Sequence, residues 1–420
     1  MSNPVRATTR PRRFPQLDPA LGADGPRNVI LDLLQSFLGG LFVAFVSNFA
    51  AVYARRLDAS AVLLSVLLAA PYTGALISPV VIARLPASLG PRGIALQIAA
   101  GRLLMLFVPL TASPAIFVAL LSLMYLLVAL PSPFIVDVMG RLYPPEVRGR
   151  YIGYSRIALT AGLILGAPVG GYIMDMAGPG LLFPLGAFIG SLGALAYACL
   201  RPGLGSTTPK APRIRDTFRL IGEDRAYATG VAAIVVWGLG ALIAGPFYPI
   251  LLVNRFGASY QQVGFLTLIQ SVCWFASYLY LARRIDRMDA RHVLLVSMLL
   301  AAMLPASYLI APSIGGLVIG YAANGLAAGG NDLGLLQLIV RSAPPGQVPR
   351  YTALVNTMTG ARGILAPFVG SFLGGEGGIG PSGVLRAGTV LCLIGAGLML
   401  WPDRARGALC PPGASTRARG

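Results

Sequence analysis

Charge is what this sequence has least of: Asp, Glu, Lys and Arg supply only 11% of its 420 residues, with 15 acids against 33 bases. A soluble protein carries roughly a quarter of its residues as charges, so water is excluded as the main solvent for this chain. Histidine occurs once, at His292, which excludes a histidine-built metal site. The four cysteines, Cys199, Cys273, Cys392 and Cys410, are scattered without any C-x-x-C spacing, so neither a zinc site nor a disulfide framework is expected. Paired carboxylates for a magnesium pyrophosphate, a histidine cluster and a Ser-His dyad are missing too, which argues against an integral membrane enzyme. No metal and no cofactor are expected. No cleavable signal peptide is visible, because residues 1–27 are polar and rich in Pro and Arg rather than apolar. That tail reads as disordered.

What the sequence has in abundance is apolar length. Hydrophobic residues make up 55% and the mean hydropathy is +0.72. The apolar residues come in runs of about 20, the length an α-helix needs to cross ~30 Å of hydrocarbon. Twelve spans are expected, near 28–54, 60–83, 93–111, 114–139, 151–174, 179–200, 227–253, 260–282, 292–311, 313–339, 351–374 and 383–401. β-Barrel spans are excluded, because they are about 10 residues long with alternating polarity. The fold class is therefore an all-α polytopic membrane protein. The net charge of +18 would suggest nucleic acid in a soluble chain, but in a membrane chain bases mark the cytoplasmic loops, and no nucleic-acid partner is expected. Most of the Lys and Arg fall in the two tails and the connections after spans 2, 4, 6, 8 and 10. The opposite connections hold only Arg55, Arg56, Arg255 and Arg386. Both termini are thus expected in the cytoplasm.

The chain also repeats itself. RLYPPEVRGRY from Arg141 and RSAPPGQVPRY from Arg341 share the pattern R-x-x-P-P-x-x-x-x-R-Y, 200 residues apart. The match runs on through Ala161, Ile164, Leu165, Val169 and Gly170, which recur as Ala361, Ile364, Leu365, Val369 and Gly370, while RRLDAS (55–60) is echoed by NRFGAS (254–259). Twelve transmembrane helices as two six-helix pseudo-repeats is the expected plan, and parallel repeats point to a transporter with its site at mid-membrane between the halves. The expected divisions are a basic tail at 1–27, a first bundle at 28–200, a cytoplasmic linker at 201–226, a second bundle at 227–401 and a tail at 402–420. Prolines break the helix at each repeated loop, leaving Arg141, Arg150, Arg341 and Arg350 at the membrane boundary as topology anchors against anionic headgroups or as parts of a cytoplasmic gate.

Over residues 28–401 this plan resembles the major facilitator superfamily. VDVMGRLYPPEVRGRYIGY is similar to the family's D-x-x-P-x-x-x-R-G segment between helices 4 and 5. The stretch ARLPASLGPR (83–92) has Ala87 where the family's loop motif has Asp, whereas ARRIDRMDARH (282–292) keeps Asp286 and Arg287. The resemblance implies that the second loop contributes to a cytoplasmic latch. GLILGAPVGG (162–171) is similar to the pattern associated with exporters, with Pro168 one place late. What the resemblance implies is a secondary transporter, export slightly ahead of import. It implies a lipid-embedded monomer carrying a small-molecule substrate, with a proton or cation as a candidate coupling ion. A non-transporting sensor or scaffold is the alternative.

Polar groups inside spans are costly and face a cavity or a partner. Span 10 carries Asn324, Asn331, Asp332 and Gln337. Spans 1, 8 and 11 add Asp32, Gln35, Asn48, Gln270 and Asn356. Asn324, Asn331 and Leu338 recur at heptad spacing and define one partly polar face. These are the candidates for a substrate path. Asp332 and Arg362 lie at nearly matching depths, and the expectation is that they pair or share a polar network facing the central cavity. Asp137 is expected to pair with Arg141 across one helical turn, and Arg102 to meet a structural partner or to snorkel to the boundary. Trp237, Tyr248 and Trp274 are candidates for stacking on an apolar substrate or for packing, and Trp401 for an interfacial anchor.

Overall fold

A computed structural model describes residues 24–82, 90–203, 214–344 and 346–400, together with Leu21. The expectations for Ala87, for Trp401, for the C-terminal tail and for most of the N-terminal one fall outside these residues. Within them the chain is helical throughout, as hydrocarbon demands of backbone that must satisfy its own N–H and C=O groups. The first rod comprises α1 (Gly25–Phe42), a π-helical turn (Val43–Ser47) and α2 (Asn48–Arg56). Then follow α3 (Ala61–Ile82) and α4 (Pro91–Leu103), the latter continued by a tight 3-10 stretch to Leu110. The fourth rod is broken at Pro131 into α5 (Pro114–Ala129) and α6 (Ser132–Leu142), before α7 (Pro145–Met176) and α8 (Pro179–Ala198) complete the first half.

The second half repeats the sequence of rods. It runs α10 (Arg225–Ile243) with α11 (Phe247–Asn254), α12 (Tyr260–Ala282), α13 (Ala290–Ile310), α14 (Leu317–Ser342), α15 (Val348–Leu373) and α16 (Gly380–Met399). A short amphipathic helix, α9 (Ile214–Glu223), lies inside the stretch expected to be a plain linker. It buries Leu220 and Thr217, and Glu223 ion-pairs with Arg350 at 2.8 Å. The hydrogen bond from Arg350 holds the Glu223 carboxyl below its usual range. This tie is therefore present at neutral pH and lost only as the pH falls through that lowered pKa.

Prolines explain where the rods start: α1, α4, α5, α6, α7, α8, α15 and α16 each carry one in the first turn, where its missing N–H costs nothing. The repeated loop uses this. Pro144 and Pro145 open α7, whereas in the second half the helix begins three residues later, at Val348. Among the described residues, ten rods are long and apolar enough to cross a membrane. The other two, α14 and α15, have 26 residues each, about 39 Å at 1.5 Å per residue, and are more polar because they carry Asn324, Asn331, Asp332, Asn356 and Arg362.

The packing repeats as the sequence does. α1 lies on α7 and α8, as α10 lies on α15 and α16; α4 lies on α8, as α13 lies on α16. The halves meet twice in the same way, through α7 against α12 and α15 against α3. Arg55 donates to Asn254 at 3.3 Å, and these two are equivalent positions in RRLDAS and NRFGAS. Equivalent residues of a two-fold repeat touch only on the axis that relates them, so the axis passes here. The following turn repeats too: Asp58 and Gly257, again equivalent, are both left-handed, with φ of 63° and 56°. Asp tolerates that conformation and Gly is free of its cost.

The buried core shows where the halves join. At the end away from the chain termini, one continuous cluster takes Phe45, Phe49, Leu64 and Phe183 from the first half and Leu252, Tyr260, Leu266 and Tyr308 from the second. Toward the face where the termini emerge, the cores separate. Val29, Ile94, Tyr143, Tyr151 and Tyr197 form one within the first half. Tyr227, Leu294, Leu338 and Tyr351 belong to another within the second.

Candidate functional site

Direct bonds close the far end. Arg56 donates to Ala258 O at 2.6 Å and lies 3.8 Å over the Tyr260 ring. Ser65 Oγ donates to Pro367 O at 2.8 Å. Asp175, at the end of α7, reaches across to the start of α12 and accepts from the N–H groups of Tyr260 (3.0 Å) and Gln261 (2.8 Å). These are orphan donors at a positive helix end, a site that favours a carboxylate. Glycines bring the backbones together beneath these bonds. A Cβ on Gly264 would lie 2.6 Å from Ala167 O, and one on Gly171 2.6 Å from Tyr260 O.

Toward the terminal face the seam opens onto polar groups. On α7, Gly162 and Gly166 pack against the first rod, while Ala167 and Gly171 meet α12. Helical phase puts Arg156 between those two contact lines and away from the outward-facing Leu165, Val169 and Tyr172. Arg156 is nevertheless exposed, so the space it faces is the gap between the halves. Its equivalent 200 residues on is Asn356, which is also exposed. Across the gap, Tyr278 of α12 donates to Asp332 Oδ2 of α14 at 2.5 Å, and its ring lies 5.9 Å from that of Trp274. The Arg156 guanidinium is near enough for its charge to act on both Tyr278 and Asp332. A carboxylate and a phenol are thus bonded on one side of the seam, with an exposed guanidinium on the other.

The expected Asp332–Arg362 pair is not formed. Counting from the helix ends puts the two at similar heights, but α14 and α15 scarcely touch; α15 packs on α3 and α10 instead. Arg362 turns toward α10, donates to Ile234 O and lies 5.4 Å over the Trp237 ring, in a notch that exists because position 238 is Gly. Arg102 uses the same device, donating to Gly190 O with Phe42 4.8 Å from its guanidinium. Each deep arginine meets a main-chain carbonyl and an aromatic face, while its Nε has no hydrogen-bond partner among the described residues.

Other candidates divide between seam and scaffold. Asp32 is only 1% exposed and accepts from Tyr143 (2.8 Å), Ser155 (2.5 Å) and Gln35 (3.0 Å), tying α1 to the repeated loop and to α7. Asp32→Ala would strand these donors and is expected to cost about 3 kcal/mol, read as a lower thermal midpoint; an unchanged midpoint would remove this knot from the account. The heptad face of α14 turns inward, for Leu338 is buried against Gly230. Asn331 is half-buried with its Oδ1 unpartnered among the described residues, and Asn324 and Gln270 are half-buried. Trp237 is buried in the second-half core, and Tyr248 lies 4.8 Å from Tyr308. Trp274 lies beside Tyr278, the phenol that bonds Asp332.

The repeated loops hold their own halves. Arg141 pairs with Asp137 at 2.8 Å as expected, Arg150 lies over the Tyr151 ring, and Arg341 donates to Met288 O at 3.0 Å. Arg350 bonds Asp216 O at 2.7 Å. The motif tyrosines are buried: Tyr151 stacks on Tyr143 at 5.2 Å, and Tyr351 lies 4.6 Å from Tyr227 and donates to Asp224 at 3.0 Å. Tyr351→Phe is expected to cost about 1 kcal/mol, as a modestly lower melting temperature. Asp286 and Arg287 form the short turn Ile285–Arg287, in which Arg287 is exposed. Two participants escaped sequence reasoning. Arg156 lies inside the expected span 5 and in α7, yet it is not among the polar groups singled out from the sequence. Asp175 sits at a span end, where nothing in the sequence names its partner.

Comparison with known proteins agrees with this architecture. Residues 230–418 match the family model described as Major Facilitator Superfamily, and residues 25–185 match that described as MFS_1 like family. The human chromaffin granule amine transporter is 26% identical over 193 residues, 46% of this chain, and the match spans only 36% of that relative's length. Among solved structures, the nucleoside transporter NupG (D323A mutant) superposes with a TM-score of 0.68 at 13% identity, covering 90% of this chain and 99% of the other. A bacterial homolog of the human lysosomal transporter Spinster, inward-facing and unoccupied, and a D-xylose-proton symporter each give 0.63 at 14% identity, covering 90% of this chain and 96% of theirs. At such identities these likenesses establish the fold. The family models matched by both halves place the chain in one group: it belongs to the major facilitator superfamily.

Proposed function

We propose that this protein is a secondary active transporter that exports a small molecule across the cell's inner membrane, with both termini in the cytoplasm. The observation that carries the reading is the joined core at the far end beside separate cores at the terminal face. A two-fold bundle held at one end and open at the other is one member of an alternating pair of states. On the expected topology it is the inward-open member. Asp332 is the coupling group: exposed in the seam, it accepts a proton or a cationic substrate, and Arg156 on the opposite half competes for it. The similarity to an amine transporter and the flanking Trp274 and Tyr278, whose ring faces attract cations, support a cationic ligand. The glycine-rich face of α7 supports export, as its sequence pattern implies.

The test is a thermal-shift screen of the purified chain against a solute library, since ligands stabilise the state they bind. Stabilising solutes then go into proteoliposomes under imposed proton gradients. Gradient-driven movement out of the cytoplasmic side is expected. Movement only by facilitated diffusion would refute coupling, and the absence of any stabilising or transported solute would count against transport itself.

A further inference from the structure

The structure points to a second binding site, outside the seam, at the terminal face of the first half. There a cavity of about 460 Å³ is lined by Arg27 from α1, by Gly90, Pro91 and Arg92 at the start of α4, and by Ala198, Cys199, Leu200 and Arg201 at the end of α8. Three guanidinium groups from three separate elements converge on one opening. Asp24 meets Arg201 at 3.4 Å, with both side chains largely exposed. Among the described residues Arg27 and Arg92 form no ion pair. Such a cluster repels itself unless an anion joins it.

The internal repeat shows what is missing. Gly90, Pro91 and Arg92 are equivalent to Asp289, Ala290 and Arg291 in the second half. There the Asp289 carboxylate caps α13, accepting from Arg291 N at 2.7 Å, and the Arg291 side chain is occupied by Ala226 O at 2.9 Å. In the first half Gly90 provides no capping side chain. The negative group that the second half builds in is absent from the first, where the surroundings are more basic.

Below the arginines the surface turns apolar. Ile30 stands one turn beyond Arg27, Leu96 one turn beyond Arg92, and Leu195 one turn before Cys199; they are 64%, 74% and 59% exposed. Each helix therefore presents a cavity-lining residue at the boundary and an outward aliphatic residue one turn deeper. A ligand with a phosphate head and hydrocarbon tails matches both layers, and basic pockets on the cytoplasmic side of helical bundles bind such heads. We propose that this pocket holds a phosphate group, supplied by the headgroup of an anionic phospholipid seated on α1, α4 and α8.

The full-length chain, delipidated in detergent, is titrated with phosphatidylglycerol, with phosphatidylcholine and with inorganic phosphate, and bound lipid is counted by native mass spectrometry alongside thermal midpoints. Phosphatidylglycerol is expected to bind saturably and to be retained over phosphatidylcholine. The Arg27→Gln, Arg92→Gln, Arg201→Gln triple variant should weaken it by about a hundredfold, on the order of tenfold or less for each charge-assisted contact removed. All three side chains are exposed, so the unliganded midpoint should stay close to that of the parent. Arg287→Gln, on the same face outside the pocket, should bind like the parent. If inorganic phosphate displaces the lipid at comparable concentration, the phosphate chemistry stands and the lipid is overturned as its source. Equal retention of phosphatidylglycerol by parent and triple variant would overturn the site.

Discussion

Asp332→Asn is expected to abolish gradient-driven transport, lowering the coupled rate by about two orders of magnitude (roughly 3 kcal/mol), while folding and membrane insertion stay intact. The carboxylate is exposed and accepts from Tyr278; asparagine preserves the shape and an acceptor for the phenol. What it removes is the negative charge that a proton, a cation and Arg156 compete for across the seam. Arg156→Gln should uncouple rather than silence, since Asp332 is then free to hold its cation in both states. Movement down the solute's own gradient should survive in that variant while the response to an imposed proton gradient falls. Full gradient-driven activity in Asp332→Asn would reduce the cluster to scaffolding.

Gly264→Val is the second large effect expected, and it acts on conformation. The added Cβ would meet Ala167 O at 2.6 Å, across the seam where α7 and α12 close the far end. Two main chains cannot yield there as a flexible side chain would, and overpacking costs about 1–3 kcal/mol. Because the clash exists only while the far end is closed, the penalty falls on one state and shifts the balance toward the other by about tenfold or more. Each half keeps its own packing. The expected result is a well-folded carrier with increased reagent access to the far end and little turnover. Unchanged access would show that this contact does not govern closure.

The twelve rods, the two halves and their parallel arrangement were legible because hydrocarbon length and the 200-residue echo are written in composition and spacing. Even the left-handed turn at Asp58 and Gly257 was latent in the pair RRLDAS and NRFGAS. Partnership was the harder matter. Asp332 and Arg362 share a depth, and depth is readable from a helix end at 1.5 Å per residue, but which rods touch is set by tertiary packing. Consecutive helices α14 and α15 scarcely meet, so the acid found Tyr278 and Arg156 while the base found a carbonyl over Gly238. Asp32 illustrates the converse: an acid near the cytoplasmic end of span 1, read as a candidate for the substrate path, is enclosed by three hydrogen-bond donors. Polarity inside a span announces that a partner exists, and only the packed structure supplies its name.

The most direct test of the account is a pair of distance measurements by electron–electron resonance on the full chain, with the native cysteines replaced by serine. One spin-label pair, at positions 112 and 313, spans the far end; another, at 149 and 347, spans the terminal face. The account predicts a short far-end distance and a long terminal-face distance in the parent, and opposite movements of the two in Gly264→Val, the first lengthening as the second shortens. Distributions that stay fixed at both ends, or that move in the same direction, would contradict a carrier whose halves rock about a central site.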